Sequence, residues 1–183
     1  MKARTCIAVV GPPTTGKSTL GCALGGITGI DFLDAHPAFR FLSHIPPLQG
    51  DPGQDEASLT RERQRMAEIY RATHQRIIAT LQEDRSIIVA LPYASVRSWE
   101  YLLEAIAQCR GNLKVMRCIY TITDEELERR VGAKPYGLRP DYYRSMFERY
   151  TEPPVFHFTV SMEGGEEGTR VAIEAAIEYI NQE

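Results

Sequence analysis

The sequence has no long apolar run and no excess of charge of either sign. No apolar stretch in the 183 residues approaches the ~18 that a membrane-spanning helix needs, so we expect none. The four residues before the first apolar segment leave no room for a signal peptide, so we expect a cytoplasmic protein with no membrane partner. The net charge of −3 argues against broad non-specific binding of nucleic acid, although a chain with this net charge can still contain a local basic groove.

Cysteine is scarce, and its spacing is not that of a metal site. The chain contains Cys6, Cys22, Cys109 and Cys118, and we predict free thiols, most of them buried. Internal repeats and low-complexity tails are absent from the sequence as well. A chain of this length and composition is expected to form one domain, 1–183, with a proper apolar core.

One glycine-containing segment near the N-terminus carries a specific pattern. Residues 11–18 read GPPTTGKS and match G-x-x-x-x-G-K-[ST], the pattern of a phosphate-binding loop. An apolar, partly β-branched segment at 5–10 precedes it, and a predicted helix follows it. The alternative, a chance match in a glycine-rich turn, is disfavoured by this strand–loop–helix context. The sequence therefore predicts binding of a nucleoside triphosphate.

The residue types of this loop suit phosphate chemistry. Gly11 and Gly16 allow unusual backbone angles, so that successive amides point at phosphate oxygens beside a helix N-terminus. Lys17 is expected to reach the β- and γ-phosphates, and the Ser18 hydroxyl to ligate Mg²⁺. The residues that we assign to the nucleotide are Gly11, Pro12, Pro13, Thr14, Thr15, Gly16, Lys17, Ser18 and Thr19.

Segments with strand and helix patterns alternate along the rest of the chain. Predicted strands lie at 5–10, 30–33, 86–91, 113–120 and 156–160. The first predicted helix starts near Gly16 and ends before a turn at 25–29. Further helices are predicted at 55–82, 97–108, 125–131, about 139 to before 153, and 169–181. A flexible loop at 162–168 precedes the last of them. This alternation predicts an α/β fold, a parallel sheet covered by helices on both faces.

Asp34 follows the second predicted strand, at the sheet edge where open α/β folds bind ligands. A carboxylate there can accept a proton from an attacking hydroxyl or hold Mg²⁺ through water. The alternative is a turn-capping aspartate before Pro37. Asp31 points to the opposite face by strand alternation and is the weaker candidate.

A basic cluster follows the fourth strand, around a predicted helix–break–helix. Its members are Arg129, Arg130, Lys134 and Arg139. Arginines on a lid over a bound triphosphate can neutralise charge on the transferred phosphoryl group, and closure of the lid excludes water. We assign Arg130 and Lys134 to catalysis and Arg129 to the nucleotide. Ordinary helix pairing with Glu125 and Glu126 is the alternative.

Two further features bear on the class of enzyme. Residues 89–93 read VALPY, without the Walker-B aspartate of motor-type and GTPase P-loop proteins, which favours a small kinase. The arginines of the predicted helix at 55–82 alternate with glutamates, which favours a solvated face, although one or two of them can still face the acceptor.

As a whole, the chain resembles the small P-loop kinases of the nucleoside-monophosphate-kinase-like fold. Within them it is most similar to the AAA-type ATP-binding group that includes the kinase domain of polynucleotide kinase. The resemblance rests on residues 11–18, on LERR at 127–130 and on LRPDYYRSMF at 138–147. It implies a three-layer P-loop NTPase fold with strand order 2-3-1-4-5, ATP as donor, and Asp34 as the group that activates the acceptor hydroxyl.

These predictions describe an ATP- and Mg²⁺-dependent phosphotransferase that moves the γ-phosphoryl group to a hydroxyl of a small molecule or nucleoside. We expect a lid at about 124–152 and an acceptor-side insertion at about 35–82. Three alternatives stay open: a polynucleotide 5′-hydroxyl kinase, a nucleoside-monophosphate kinase, and an ATP-binding regulator with slow ATPase activity. The first is less favoured because the acidic chain shows no basic groove with stacking residues.

Overall fold

The structure is a computed structural model. It describes residues 4–34, 56–92, 96–132, 144, 146–148 and 150–182, without the side chains of 56–59, 61–63, 65–66 and 131–132. The first part of the predicted acceptor-side insertion, residues 35–55, and most of the helix predicted from residue 139 lie outside the described residues. None of the described helices has the length and apolar content needed to cross a membrane.

Strands and helices alternate as the sequence pattern predicts. The strands are β1 (Thr5–Val10), β2 (Asp31–Asp34), β3 (Ile87–Ala90), β4 (Asn112–Ile119) and β5 (Phe158–Ser161). The helices are α1 (Lys17–Thr28), α2 (Glu56–Gln82), α3 (Val96–Cys109), α4 (Asp124–Gly132) and α5 (Gly165–Asn181). Thr123 immediately precedes α4, and its hydroxyl oxygen accepts a hydrogen bond from the Glu126 N–H at 3.3 Å. Thr123 is therefore the N-terminal cap of α4, and Asp124 is the first helical residue.

All five strands are parallel, in the order β2-β3-β1-β4-β5. The predicted fold class and strand order are therefore confirmed. β1 lies at the centre, with Val9 opposite Ala90 of β3 and Met116 of β4. Because β1 leads directly into the loop at 11–16, this order puts that loop over the middle of the carboxyl edge.

Two apolar layers cover the sheet, one on each face. Strand residues of one parity, such as Ala8, pack with Ile77 of α2 and Trp99 of α3. Residues of the other parity, such as Val9, pack with Leu20 of α1 and with α5. Nearly every side chain of β1 is fully buried, as expected for a central parallel strand. The four cysteines are free thiols, and all except Cys22 are buried.

The glycines at 25 and 26 do not make the predicted turn. Helix α1 continues through them to Thr28, and Gly29, at φ 69°, ends it by donating its N–H to the Gly25 carbonyl at 3.0 Å. The physical reason is close packing, since a Cβ at Gly21 would lie 2.3 Å from the Phe32 ring and one at Gly25 3.0 Å from the Phe32 Cβ. These glycines let α1 approach β2.

The loop predicted at 162–168 is also shorter than expected. Helix α5 begins at Gly165, after Gly164 in a left-handed conformation. A Cβ at Gly168 would lie 1.5 Å from the Glu163 carbonyl oxygen, so that glycine is required by a tight helix start.

Candidate active site

The loop between β1 and α1 is held in a conformation that depends on glycine. Gly11 has φ 144° and Gly16 has φ 92°. A Cβ at Gly11 would lie 2.5 Å from the carbonyl oxygen of Cys118 in β4, so no other residue fits there without a backbone shift. The loop therefore lies directly against the end of the neighbouring strand.

Thr14 is a backbone outlier within the same loop. A β-branched residue rarely takes a positive φ, yet Thr14 has φ 68°, a conformation that costs about 1–3 kcal/mol. Its hydroxyl is buried and finds no partner within the described part of the chain. Its carbonyl oxygen accepts a hydrogen bond from Arg130 at 2.7 Å. Strain and an unsatisfied hydroxyl in one residue are typical of a loop shaped for a ligand.

Lys17, the first residue of α1, directs its ammonium back over the loop. The side chain is buried, and Nζ donates to the Pro12 carbonyl oxygen at 2.5 Å. The Thr15 hydroxyl donates to the same oxygen at 2.9 Å. This carbonyl thus anchors the ammonium beside the backbone amides of the loop. Ser18 follows in the first turn of α1 and is half-buried, whereas Thr19 is exposed.

Arg130 joins helix α4 to the loop. Its guanidinium lies 4.0 Å from the centroid of the Tyr120 ring, donates to the Thr14 carbonyl oxygen and pairs with Glu126 at 2.5 Å. Arg129 pairs with the same carboxylate at 2.7 Å, but its side chain is 72% exposed. Hydrogen bonds from Arg129 and Arg130 lower the pKa of Glu126 to about 2, so this carboxylate stays ionised and fixes both arginines. Helix pairing accounts for the described contacts of Arg129, whereas Arg130 also contacts the loop.

Asp34 ends β2, in register with Ala90 of β3, which in turn is level with Val9 of β1. It is half-buried and lies two interstrand spacings, each about 4.8 Å, from the central strand. Phe32 belongs to the layer under α1, so Asp34 shares the face of α1 by alternation. Asp31 is on the other face and pairs with Arg85, which gives it a structural contact.

Two members of the predicted basic cluster are not described by the structure. Lys134 and Arg139 lie outside the described residues. Across the described ranges, no group of three or more His, Cys, Asp or Glu side chains is arranged to hold a metal ion. Ser18 therefore remains the residue that the sequence assigns to Mg²⁺.

Sequence reasoning missed two residues at the end of β4 and beyond it. Arg117 pairs in register with Val10, the residue that precedes the loop, and its Nη1 lies 2.8 Å from Glu152. Its Nε and the hydroxyl of Tyr150 are buried, and neither has a hydrogen-bond partner in the described chain. The available signal was an arginine inside an otherwise apolar strand, VMRCI, where charge is rarely placed without a partner.

Comparison with known proteins gives matches at the level of structure. No protein-family model and no curated protein sequence matches the chain. A sugar kinase from Janibacter sp. HTCC2649 superposes with a TM-score of 0.68 and 15% identity, over 98% of this chain and 95% of that one. The APS kinase CysC of Mycobacterium tuberculosis, in complex with AMPPNP and APS, gives 0.63 and 14%, over 98% and 99%. Kti12 of Chaetomium thermophilum, in complex with ADP-AlF3, gives 0.62 and 16%, over 97% and 100%.

Similarity at these identities establishes the fold. Two of the three structures are kinases of small molecules by description, and two contain a bound nucleotide or nucleotide analogue. They span this chain almost from end to end, as the resemblance read from the sequence implied. The parallel five-stranded sheet, the loop at 11–16 and the matching structures together show that this chain has the fold of the small P-loop kinases.

Proposed function

We propose that this protein is an ATP-dependent phosphotransferase that moves the γ-phosphoryl group of ATP to a hydroxyl of a small molecule or nucleoside. The observation that carries the proposal is the position of two cations on one loop. Lys17 binds the Pro12 carbonyl oxygen and Arg130 binds the Thr14 carbonyl oxygen. Positive charge from α1 and from α4 thus converges on the loop that would cradle the triphosphate.

The residues at the loop fit a triphosphate with Mg²⁺. The buried ammonium of Lys17 can exchange its carbonyl partner for phosphate oxygens, and the unsatisfied Thr14 hydroxyl supplies a further donor. Ser18 would hold Mg²⁺, since a hydroxyl beside phosphate oxygens is the hard donor set that this ion prefers. When bound, the ion would neutralise charge on the phosphates. Arg129, at the surface of α4, is proposed to contact the nucleotide.

Asp34 is proposed to act on the acceptor. Its position at the carboxyl edge, two strands from β1, supports this role. The acceptor oxygen forms a bond to the γ-phosphorus while the bond to the β–γ bridging oxygen breaks, and ADP leaves with that electron pair. The acceptor proton passes to the Asp34 carboxylate. Arg130 and Lys134 are proposed to neutralise the charge that spreads over the transferred group.

The rest of the chain is proposed to serve the same reaction. We infer a single domain, 1–183, in which about 35–82 shapes the acceptor pocket and about 124–152 forms a lid. A small-molecule acceptor is favoured because the similar structures include a sugar kinase and an APS kinase bound to APS. Closure of the lid would exclude water, which competes with any hydroxyl acceptor.

The test is turnover of γ-labelled ATP with Mg²⁺ against a panel of acceptors. The panel contains sugars, sugar acids, nucleosides, nucleoside monophosphates and a 5′-hydroxyl oligonucleotide, and Lys17→Ala is the control. We expect label to move to one acceptor class and to fall by at least about 10²-fold in the Lys17→Ala variant. Release of inorganic phosphate at a rate that no acceptor changes would overturn the proposal in favour of an ATP-binding regulator.

A further inference from the structure

Arg117 lies beside the nucleotide loop but takes no part in the chemistry proposed above. It is the third residue from the end of β4 and is in register with Val10, which leads into Gly11. Val115, two residues earlier, packs in the layer under α2 and α3, so Arg117 shares that face by alternation. This is the face opposite the one that carries α1. The guanidinium therefore lies at the carboxyl edge of the sheet, next to the loop, on the sheet face that α2 and α3 cover.

Two hydrogen-bond donors at this position are buried and unsatisfied. The Nε of Arg117 and the hydroxyl of Tyr150 have no partner among the described residues. A buried donor left unpaired is energetically unfavourable, so these two donors require an explanation. Burial raises the pKa of Tyr150 to about 12, with Arg117, Glu152 and Tyr70 among the charged and titratable groups near it. The hydroxyl thus keeps its proton and can donate.

The ion pair of Arg117 involves its Nη1 atom and an exposed carboxylate. Glu152 contacts Nη1 at 2.8 Å, and the Glu152 side chain is 66% exposed, so this pair faces solvent. The Nε atom is buried and takes no part in the contact with Glu152. Arg117 acts electrostatically on Tyr150, so the two side chains are neighbours. Together, the Nε–H of the guanidinium and the O–H of Tyr150 match a group with two or more oxygen acceptors and negative charge. A neutral hydroxyl of a ligand would accept from only one of the two donors and would make no ionic interaction with the guanidinium.

We propose that Arg117 and Tyr150 form a binding subsite for an oxyanion, a carboxylate or phosphate carried by the phosphoryl acceptor. This inference rests on the proposed function, because it names the acceptor of that reaction as an acidic small molecule. Because Arg117 is next to Val10, the anionic end of the acceptor lies beside the loop. The reacting hydroxyl then lies towards the centre of the carboxyl edge. Arg117 and Tyr150 act here in binding and in specificity.

The first test observes the Arg117 side chain directly in the ¹⁵N-labelled full chain. Inorganic phosphate and acetate are titrated separately into Lys17→Ala protein, which removes the cation of the nucleotide loop. The Nε–H resonance of Arg117 is identified by its loss in an added Arg117→Lys substitution, which keeps the positive charge for Glu152. We expect a saturable shift with at least one anion, weakened at least tenfold by Tyr150→Phe. No saturable shift, or one that Tyr150→Phe leaves unchanged, means that water fills the site and overturns the proposal.

The second test uses matched acceptors with and without an acidic group, such as a sugar acid and its parent sugar. For the acidic member, Tyr150→Phe is expected to raise KM at least tenfold and to change kcat less than about threefold, as for loss of uniform binding. Turnover confined to neutral acceptors, with the same KM in both proteins, would refute the subsite and leave the phosphotransferase intact. Saturable anion binding at Arg117 without transfer to any acceptor would refute the phosphotransferase and leave the subsite intact.

Discussion

Arg129 and Arg130 are adjacent in sequence and share one carboxylate, yet they differ in what else they contact. Arg130 is fixed between Glu126, the Tyr120 ring and the loop carbonyl of Thr14, whereas Arg129 is mostly exposed. A substitution at either position loses one ion pair to Glu126. The two sites therefore form a matched pair in which only one of the substitutions removes a contact with the loop.

We predict that Arg130→Gln lowers kcat about 10²-fold, as for the loss of one donor that stabilises transition-state charge. Arg129→Gln is expected to raise the KM for ATP by less than about tenfold without changing kcat, since an exposed contact contributes only uniform binding. Steady-state kinetics of both variants, with stability compared by urea unfolding, makes the check. Equal kcat values for the two variants would remove Arg130 from the reaction.

Asp34 gives a second prediction at the residue scale. Asp34→Asn keeps the size of the side chain and removes its ability to accept a proton, so transfer should fall by about 10²–10⁴-fold. The affinity for ATP should change less than about twofold, because Asp34 is two strands away from the loop. Calorimetric titration with a non-hydrolysable ATP analogue measures the affinity. Transfer at the wild-type rate would leave Asp34 as a turn-capping residue.

At the scale of single elements, α1 illustrates how packing overrides a local signal. Gly25 and Gly26 were predicted to lie in a turn but belong to the helix, where Gly21 and Gly25 allow contact with Phe32. Gly26, by contrast, has nothing within 4 Å of the position of a Cβ and is exposed. The helix thus contains glycines that packing requires and one that it does not.

This difference predicts opposite effects on stability. Gly21→Ala should destabilise the fold by about 1–3 kcal/mol, because the methyl group overlaps the Phe32 ring and the helix or the strand must shift. Gly26→Ala should stabilise it by about 0.5–1 kcal/mol through the helix propensity of alanine. Urea denaturation of the two variants gives both values. A destabilised Gly26→Ala variant would show that the helix does not continue through residue 26.

The contact between α2 and α3 contains a buried histidine, His74, whose ring centroid lies 6.0 Å from that of Tyr70 and 6.3 Å from that of Tyr101. Burial lowers the pKa of His74 from 6.5 to about 4. The folded protein holds His74 in the neutral form. The contribution of His74 to the free energy of unfolding is therefore complete above pH 6.5 and is lost as the pH falls towards 4.

Between pH 7 and pH 5 we therefore expect a loss of about 1–2 kcal/mol from this group. The lowered carboxyl pKa of Glu126, from 4.5 to about 2, acts mainly below this window, at pH values under 4.5. Urea unfolding at pH 7 and pH 5, in wild type and in His74→Gln, separates the contribution of His74. An equal pH dependence in the two proteins would contradict the assignment.

At the scale of the whole molecule, features encoded by local periodicity could be predicted from the sequence. The strand–loop–helix that begins at residue 5 and the alternation of strands and helices follow from apolar spacing and from glycine, so the fold class and the position of the loop are confirmed, although the helix was predicted to end before residue 25. The strand order came from the resemblance to a family, since apolar spacing alone does not say which strands pair.

Features that depend on contacts between distant residues could not be predicted in the same way. The hydrogen bond from Arg130 to Thr14 spans 116 positions, and the burial of Arg117 and Tyr150 depends on how the end of β4 packs. The sequence placed Arg130 in a basic cluster and led to its assignment to catalysis, but it did not indicate the contact with Thr14. It marked Arg117 only as a charge within an apolar strand. Burial and hydrogen-bond partners distinguish both from their neighbours.

Phosphoryl transfer is observed directly when the γ-phosphoryl group of ATP is followed to its product. Phosphorus NMR follows Mg²⁺ and ATP with the protein and a pool of hydroxyl-bearing acidic and neutral small molecules. We predict a new phosphate ester resonance that grows in step with ADP and disappears in the Lys17→Ala variant. Inorganic phosphate as the sole product beside ADP, at a rate independent of the pool, would contradict it.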